Sequence, residues 1–530
     1  MHAMLEQGRQ HHQLGDLNLA RTSYQSILDE APDHFDAMHL LGVACAQCFD
    51  YALAIDLFSK AVTLNERNPI VHNNLGNAQA ALKDWASAVQ SYDKAIKFDS
   101  RYALAYFNRG IAQEELGYLD RALLSYQHAI KFNPQYIHAY LNCGVVLQKL
   151  GRIHEALEQY GVAIALDPHF VDAYYNRGTD LMELSLLDAA VRDFDQAIVM
   201  RPDFADAHWN KSLALLCLGD WAAAWDIYDW RWRRSDLGPN EFVPPLDPLR
   251  FQYASNLPAS KSVFVWAEQG VGDEVFNASM LSSLANRFAA VTVQTDGRLI
   301  PLLQRSFTGI TFVNRADQVD QASFDLHLAH GDLGYFFRRD ATGFKEVKSR
   351  YLCADDSRAK EFRMELKTDS RPLVGVTWRS KNNRLGSRKS IDLDSLLPIF
   401  MNPALRFVSL QYGDTLDELN SLKQMYGVEI NRCQSVDNFS DLDGHAALIE
   451  ACDMVLTVSN TTAHIAGALG KATFVMLSKG EGRLWYWANR QDRRSIWYPA
   501  VEVFEQTEHG KWDDVVSSIF SSISEKYIAR

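Results

Sequence analysis

The sequence has little of what marks membrane, secreted or nucleic-acid-binding proteins. Its 530 residues are 47% hydrophobic, yet no apolar run approaches the roughly 20 residues of a membrane span. The first residues, MHAMLEQGRQHHQLGD, lack the apolar core of a secretory signal. The formal charge is −13, whereas binding to phosphate backbones needs clustered Lys and Arg. We therefore expect a cytoplasmic protein with no membrane span and no nucleic-acid partner.

Cysteine is also scarce, with seven scattered residues, an odd number that fits a reducing compartment. Cys45 and Cys48 form a lone C-x-x-C inside an apparent helix, which favours packing over redox or metal chemistry. Neither a second C-x-x-C nor a close histidine pair completes a zinc site. One Asp-x-Asp motif, at Asp441 and Asp443, is distant in sequence from the loops discussed below. We expect no metal.

The first half of the chain repeats every 34 residues. A glycine begins each pattern, a small residue follows after twelve positions, and an aromatic residue after four more. The glycines are Gly8, Gly42, Gly76, Gly110, Gly144 and Gly178; the small residues are Ala20, Ala54, Ala88, Ala122, Ala156 and Ala190; the aromatic residues are Tyr24, Phe58, Tyr92, Tyr126, Tyr160 and Phe194. The pattern resembles the tetratricopeptide repeat (TPR). It predicts helix pairs that stack into a superhelix with a concave groove, the aromatic residue filling the gap to the next pair. Ser212, Ala224 and Tyr228 mark a seventh, degenerate unit.

An asparagine column accompanies five of these units, two residues before the glycine position. Asparagine is a poor helix former, but its amide both donates and accepts, so a column of amides can hold an extended peptide by its backbone. The alternative is that the amides bridge neighbouring repeats. The column resembles the asparagine ladder of the O-linked N-acetylglucosamine transferase superhelix, which implies an acceptor protein in the groove. Its members are Asn74, Asn108, Asn142, Asn176 and Asn210.

The character of the sequence changes after the repeats. The stretch WAAAWDIYDWRWRRSD predicts a capping helix that docks on the next domain, and residues 236–261 read as a proline-rich linker. From Ser262 onwards, nine short apolar runs alternate with helical stretches, which predicts parallel sheets. We expect a repeat domain at residues 1–235 and two Rossmann-like lobes at residues 262–370 and 371–530.

Two loops after predicted strands carry candidate ligand-binding residues. In AEQGVGDEVF, Gly270 and Gly272 permit a tight turn and Asp273 begins a helix, but a third glycine of the dinucleotide fingerprint is missing. An aspartate there also serves as a helix cap. The second loop, TWRSKNNRLGSRKS, suits phosphate or is a solvated surface loop. Its basic residues are Arg379, Lys381, Arg384, Arg388 and Lys389.

The third loop is SNTTAHIAGALGK, which follows the apolar run DMVLTV. Ser459 or Asn460 can cap the next helix, whose first turn holds Thr461, Thr462 and His464. The amides and the dipole at a helix N-terminus attract anions, and hydroxyl and imidazole groups add directed donors. The alternative is capping alone, with His464 as an ordinary helix residue.

Residues from about Trp230 to Gln506 resemble the glycosyltransferase domain of bacterial TPR proteins, a relative of the heptosyltransferases with GT-B architecture. The segments that carry the resemblance occur in the family's order: YDWRWRR, AEQGVGDEVF, VGVTWRS, RFVSLQ, ACDMVLTVSNTTAHIAGALGKATFVML and SIWYPAVEVFEQ. The resemblance implies an α plus α/β fold, in which a TPR α-solenoid precedes a GT-B domain of two Rossmann-like lobes. The family has Asp-Thr where this chain has Asn460 and Thr461, a difference that bears on donor preference or on activity.

The resemblance implies a metal-independent protein O-glycosyltransferase that uses a nucleotide sugar as co-substrate, without a separate cofactor. A sugar would pass to Ser or Thr of an acceptor protein, for which flagellar or surface proteins are the family's analogy, and Asp273 would be the general base. Two alternatives remain: a TPR scaffold with an inactive transferase-like domain, and a transferase acting on a glycan or lipid. The repeats also offer a surface for oligomers. The donor-binding residues are expected to be Gly272, Arg379, Lys381, Gln411, Asn460, Thr461, Thr462 and His464.

Overall fold

The chain forms two compact units in the computed structural model. One unit comprises Met1–Leu181 with Val199–Pro202, and the other Met182–Ile198 with Asp203–Arg530. The domain boundaries at residues 235, 261 and 370 stay predictions, and most of the predicted linker lies outside the described residues, as does Arg384. The structure describes residues 1–237, 244, 246, 250–251, 258–345, 347–381, 386–480, 484–487 and 492–528.

Paired helices fill the chain up to residue 227, as the repeat pattern predicts. The helices are α1 His2–Gln13, α2 Leu17–Glu30, α3 Phe35–Gln47, α4 Tyr51–Leu64, α5 Pro69–Ala81, α6 Trp85–Phe98, α7 Ala103–Glu115, α8 Leu119–Phe132, α9 Ile137–Lys149, α10 Ile153–Leu166, α11 Val171–Glu183, α12 Leu187–Met200, α13 Ala205–Leu218 and α14 Trp221–Ile227. A 3-10 helix, Tyr228–Arg233, continues from α14.

The repeating glycine is required by the aromatic ring of its own helix pair. A Cβ atom on Gly76 would lie 2.6 Å from Cε1 of the buried Tyr92, and the same clash recurs at the corresponding glycines of four further repeats of the first unit. Tyr92 also clusters with Ala112 of the next pair. The aromatic residue therefore packs towards the next pair, as predicted. It also packs inside its own pair, which the sequence did not predict.

The second unit contains two parallel sheets, which confirms the α/β prediction for this half. The first lobe is built on β1 Ser262–Trp266, β2 Ala290–Thr295, β3 Ile310–Asn314 and β4 Leu326–Ala329, in the order β3-β2-β1-β4. The second lobe is built on β5 Leu373–Val376, β6 Arg406–Ser409, β7 Ile430–Asn431, β8 Met454–Val458, β9 Thr473–Leu477 and β10 Val501–Glu505, in the order β10-β9-β8-β5-β6-β7. Strand β10, parallel to β9, was missed because glutamates interrupt its apolar residues.

Short helices cover the sheets. They are α15 Val271–Ala278, α16 Leu281–Arg287, α17 Ile300–Ser306, α18 Leu333–Phe337, α19 Asp356–Leu366, α20 Gly386–Lys389, α21 Leu397–Phe400, α22 Leu416–Tyr426, α23 Leu442–Ala451, α24 Thr461–Ala468 and α25 Asp513–Ile523. The charged helix α19 separates the two sets of strands. Within the described ranges, no helix combines the length and apolarity that a membrane crossing requires.

The predicted capping segment docks on the first lobe through buried charges. The guanidinium of Arg231 donates to Glu268 at 2.9 and 3.1 Å and to Asp332 at 2.8 Å. Arg250, inside the predicted linker and only 2% exposed, donates to the same Asp332 at 2.8 Å. The indole N–H of Trp225 donates to a main-chain carbonyl of the first lobe at 2.9 Å. Because removing one partner leaves a buried charge uncompensated, these pairs fix the seventh repeat against the lobe.

The glycine packing predicts opposite effects for two alanine substitutions in the repeats. Gly76→Ala should destabilise the repeats by about 1–3 kcal/mol, since the new methyl overpacks against Tyr92. Gly161→Ala, in the middle of α10 with no neighbour near its Cβ position, should stabilise by about 0.5–1 kcal/mol through helix propensity. Urea unfolding followed by helical circular dichroism measures both, and equal shifts of the two midpoints would contradict the packing.

Candidate functional site

A cavity of about 920 Å³ opens between the two lobes of the second unit. Strand β1 lies between β2 and β4, and β5 lies between β6 and β8. The order of strands thus reverses beside β1 and beside β5, and open parallel sheets bind ligands at the carboxyl ends of strands at such points. The cavity is lined by loops that follow β1, β5 and β8, including the predicted residues Gly272, Asp273, Lys381, Asn460, Thr461, Thr462 and His464.

The two lobes meet where α15 packs against α24. A Cβ atom on Gly272 would lie 2.9 Å from Cδ2 of His464, so only glycine permits this approach without a shift. Asn460 caps α24 by accepting a hydrogen bond from the Ala463 amide at 3.3 Å. The N-terminal ends of both helices therefore border the cavity, and each contributes unpaired amides and a positive dipole end.

Asp273 is a carboxylate with an unusual proton affinity. Its Oδ2 accepts a hydrogen bond from the Gly270 amide at 3.1 Å, which closes the first turn of α15. Burial raises its pKa to about 6, and the neighbouring Glu268 carboxylate contributes in the same direction, against the effect of the Gly270 amide. A carboxylate with a pKa near neutrality is suited to take up a proton from a substrate.

Among the cations of the cavity, Lys389, at the end of α20, most resembles a ligand-binding group. It is 4% exposed and lines the cavity, but it forms no ion pair with any residue that the structure describes. Burial lowers its pKa to about 8, and attraction to Asp273 opposes this shift. A buried ammonium without a counter-ion is costly, so an anionic ligand would be stabilised here.

His464 is held as a neutral imidazole. Burial, together with the nearby charge of Lys389, lowers its pKa to about 3. Its Nδ1 pairs with the Tyr498 hydroxyl at 2.8 Å. The Tyr498 ring packs against Tyr351, with centroids 6.4 Å apart, and the Tyr351 hydroxyl donates to the Val275 carbonyl at 2.9 Å. His464 thus fixes α24 against the first lobe, and its charge does not contribute to anion binding at neutral pH.

The Thr462 hydroxyl is already engaged inside the second lobe. Asn438 donates through Nδ2 to the Gln411 carbonyl at 3.3 Å, so its Oδ1 accepts from Nδ1 of His445 at 2.9 Å. The remaining ring nitrogen of His445 then accepts from the Thr462 hydroxyl at 3.0 Å. By contrast, Thr461 forms no side-chain hydrogen bond within the described ranges, so its hydroxyl is open to a ligand.

Asn460 cross-links the ends of β8 and β5. Its amide nitrogen donates to the Thr377 hydroxyl at 2.9 Å and to the Arg379 carbonyl at 3.3 Å. Its oxygen accepts from the Thr457 hydroxyl at 3.1 Å and from the Ala463 amide at 3.3 Å. An amide, with two donors and two acceptor sites, satisfies all four bonds, whereas an ionised aspartate offers no donor.

Two expected donor-binding residues, Arg379 and Gln411, use their polar groups in hydrogen bonds within the protein. The Arg379 guanidinium donates to Glu418 at 2.6 Å. Gln411 accepts the main-chain amides of Trp378 and Arg379 at 3.0 and 2.9 Å, and its nitrogen lies near main-chain carbonyls. Neither residue lines the cavity. Lys381 does, with its ammonium 5.2 Å from the ring centroid of Phe439.

Side chains of the asparagine column form hydrogen bonds between neighbouring repeats. The Asn108 amide nitrogen donates to Asn73 at 3.0 Å and to Asn77 at 2.9 Å, and Asn74 pairs with His39 at 3.0 Å. Both N–H groups of Asn108 are therefore engaged, and only its carbonyl is left for a peptide. Asn142 lies 3.5 Å from the Tyr126 hydroxyl, while Asn176 and Asn210 are half-buried on α11 and α13.

The expectation of no metal stays a prediction. Asp441 pairs with Arg358 at 2.6 Å, and Asp443 pairs with Arg305 at 2.6 Å. The two carboxylates of the Asp-x-Asp motif are thus neutralised by arginines. Across the residues that the structure describes, three or more His, Cys, Asp or Glu side chains do not gather in metal-binding geometry.

Several cavity residues were not chosen from the sequence. Lys389 belongs to the basic loop, but its distance from the end of β5 gave no reason to prefer it to its neighbours. Trp209, Leu213 and Trp232 belong to the seventh repeat and its 3-10 helix, and they also line the cavity. The sequence signal that could have indicated these three residues was the expected docking of the capping segment on the next domain.

Comparison with protein-family models identifies the repeats. A model described as TPR repeat matches residues 80–117, 115–151 and 149–179, and one described as tetratricopeptide repeat matches residues 5–69 and 175–229. The helical half consists of tetratricopeptide repeats. Repeats of this kind bind protein or peptide partners along a helical surface.

Individual relatives extend the comparison. Protein FlbA of Caulobacter vibrioides is 29% identical over 333 residues, which cover 58% of this chain and 53% of FlbA. The chain therefore spans about half the length of this relative, and a match of 333 residues is too long to lie within the repeats alone. Among solved structures, YrrB, described as a TPR protein with an unusual peptide-binding site, is 22% identical with a TM-score of 0.33, covering 36% of this chain and 98% of YrrB. For pilF of Pseudomonas aeruginosa the identity is 19% and the TM-score 0.35, with 39% and 93% covered.

The raised pKa of Asp273 predicts how Asp273→Asn changes stability with pH. A raised pKa means that the folded state binds the proton more tightly than the unfolded state, so this stabilisation is present below about pH 4 and is lost as the pH rises through about 6. Asparagine keeps the bond to Gly270 and does not ionise. The variant should melt above the wild type at about pH 7, with the advantage vanishing near pH 4. An equal difference at both pH values would contradict the shift.

The four bonds of Asn460 predict that Asn460→Asp destabilises the second lobe. The aspartate would leave the Arg379 carbonyl without its donor, at a cost of about 1–3 kcal/mol. Asn420→Asp, exposed on α22, adds the same charge and should leave the melting temperature nearly unchanged. Thermal unfolding of the two variants measures the difference, and equal melting temperatures would show that the amide donors are dispensable.

Proposed function

We propose that this chain is a glycosyltransferase of GT-B architecture that transfers a sugar from a nucleotide-sugar donor to Ser or Thr of an acceptor protein. The resemblance of the second half to bacterial TPR glycosyltransferases motivates the proposal. Two parallel-sheet lobes with a cavity at the carboxyl ends of their strands support it, because such crevices accommodate nucleotides. The FlbA match, which reaches beyond the repeats, is compatible with it but names no activity.

One observation carries the proposal. Lys389 is buried and unpaired in the described part of the chain, beside Asp273, in a cavity that the N-terminus of α24 also borders. An ammonium, an open hydroxyl at Thr461 and helix amides together match the needs of a phosphate group. A carboxylate with a pKa of about 6 beside them matches the needs of a hydroxyl acceptor.

The chemistry assigned to these residues is a displacement at the anomeric carbon of the donor. The acceptor hydroxyl forms a bond to that carbon, while the bond from the carbon to the phosphate oxygen breaks. Asp273 takes the hydroxyl proton, and the leaving phosphate keeps the electron pair. Lys389 and the amides of α24 stabilise the charge that develops on the phosphate, which is the role of preorganised donors in such reactions.

The repeats supply the protein-binding half of the proposal. The contribution of the asparagine column to acceptor binding stays a prediction. Asn74 and Asn108 form hydrogen bonds between repeats, which favours a structural role for these two residues. Asn460 does not argue for a scaffold that has lost its chemistry, because its amide is a structural link between β5 and β8. A scaffold alone gives no reason to bury Lys389 beside Asp273.

Transfer activity tests the proposal directly. The purified full chain is incubated with nucleotide diphosphate sugars and CMP-linked sugars, first alone and then with Ser/Thr-containing proteins, and read by intact mass and by release of the nucleotide. We expect turnover of at least one donor, and a loss of about 10²–10⁴-fold in Asp273→Asn if this residue is the base.

The control for this experiment is Asp325→Asn, directly before β4, where the carboxylate accepts a hydrogen bond from the Ser262 amide and does not line the cavity. This variant should retain wild-type turnover. Absence of turnover with every donor would overturn the enzyme assignment, and equal losses in both variants would remove Asp273 from the reaction.

A further inference from the structure

A short 3-10 segment of the second lobe, Trp485–Trp487, forms part of the cavity wall. Trp485 and Tyr486 line the cavity, whereas Trp487 is fully buried. The indole N–H of Trp487 donates to the Ser459 hydroxyl at 2.8 Å, and Ser459 directly follows β8, the strand that leads into α24. This bond fixes the segment, and Tyr486 with it, beside the loop at the start of α24.

The ring of Tyr486 is enclosed by other aromatic rings. The rings of His464, Phe276, Trp485 and Trp487 have centroids 4.8 to 5.5 Å from that of Tyr486, and the residue as a whole is 6% exposed. With so little surface left, the ring offers no face on which a planar ligand could stack. What it offers the cavity is its hydroxyl edge.

The Tyr486 hydroxyl is open to a ligand. It forms no hydrogen bond with any residue that the structure describes, yet its oxygen is not sealed from water. Burial and the neighbouring charge of Asp273 raise the pKa of this phenol well above its usual value, so the hydroxyl keeps its proton at neutral pH and can both donate and accept. Polar groups of buried residues normally have partners, and here the cavity is the place from which a partner can come.

A second open polar atom lies beside this hydroxyl. His464 directs Nδ1 at the Tyr498 hydroxyl, and its Nε2 has no hydrogen-bond partner in the described part of the chain. This Nε2 is not sealed from water either, and it would lie 3.4 Å from a Cβ atom on Gly272, which lines the cavity. Tyr486 and His464 therefore present two uncharged hydrogen-bonding atoms to one region of the cavity.

The charges around these two atoms determine which kind of group fits there. The Tyr486 hydroxyl lies within the influence of the Asp273 carboxylate, and the His464 ring lies within that of the Lys389 ammonium. An anionic group would be repelled by Asp273, and a cationic group by Lys389. A neutral group that bears hydroxyls meets neither penalty, and its hydroxyls pair with a phenol or an imidazole in either direction.

We propose that Tyr486 and His464 form the sugar subsite of the donor, in which the Tyr486 hydroxyl and His464 Nε2 form hydrogen bonds with hydroxyls of the sugar ring. In the proposed reaction, the sugar is the neutral part of the substrate between the phosphate at Lys389 and the hydroxyl that Asp273 deprotonates. The subsite thus orients the anomeric carbon between these two groups. This inference rests on the proposed function for the identity of the ligand, although binding of the sugar does not require its transfer.

Tyr486→Phe tests the subsite, because phenylalanine keeps the enclosed ring and removes only the hydroxyl. The matched control is Tyr160→Phe on α10, a buried tyrosine whose hydroxyl also lacks a partner among the described residues and which does not line the cavity. The full chain is titrated by calorimetry with nucleotide sugars and their free nucleotides in pairs. The pairs are UDP-glucose with UDP, GDP-mannose with GDP, ADP-glucose with ADP, and CMP-N-acetylneuraminate with CMP.

We expect Tyr486→Phe to bind the nucleotide sugar about fivefold more weakly than the wild type, the effect of one lost neutral hydrogen bond, and to bind the free nucleotide of that pair equally well. Tyr160→Phe should match the wild type for both ligands. An unchanged affinity of Tyr486→Phe for the nucleotide sugar would overturn the subsite. An equal loss of affinity for the nucleotide sugar and the free nucleotide would overturn it as well, as would a wild type that binds no nucleotide sugar of the panel.

The same titrations separate this inference from the proposed transfer. If the wild type binds a nucleotide sugar with an affinity that depends on the Tyr486 hydroxyl but transfers no sugar to any acceptor, the subsite stands and the transferase assignment fails. If the wild type transfers sugar and Tyr486→Phe binds the donor as tightly as the wild type does, the transferase assignment stands and the subsite fails.

Discussion

The close approach of α15 to α24 is the contact on which the rest of the site depends. Because residue 272 is a glycine, the first turn of α15 lies directly against His464, and the loops after β1 and β8 border one cavity. Asp273 and Lys389 line the same cavity, and burial shifts both pKa values towards neutrality. The electrostatic character of the site is therefore a consequence of packing, with mutual attraction of the two charges as a smaller opposing effect.

A second constraint joins the repeats to this site. Arg231 and Arg250 converge on the fully buried Asp332 of the first lobe, so the seventh repeat keeps a fixed position within its compact unit. Its first helix then presents Trp209 to the cavity. The seventh repeat and the two lobes thus line the same cavity.

The sequence predicted most of the fold because its signals are local. Each repeat glycine is specified by a ring sixteen residues later, and nine of the strands are apolar runs long enough to recognise. The loops that line the cavity were predicted from their places at strand ends. The role of each residue in these loops depends on partners distant in sequence. Arg379 pairs with Glu418, and Gln411 accepts main-chain amides. Of several similar basic residues in one loop, Lys389 is buried. These choices could not be predicted from the sequence alone.

The central claim is that Lys389 and the α24 N-terminus bind the phosphate of a nucleotide sugar. Isothermal titration of the full chain with UDP, GDP, ADP and CMP, repeated with Lys389→Met, tests it most directly. We expect at least one nucleotide to bind the wild type and the variant to bind it at least about tenfold more weakly, since each charged hydrogen bond contributes roughly 1.5–3 kcal/mol. Binding of equal strength in both chains, or no binding of any nucleotide, would contradict it.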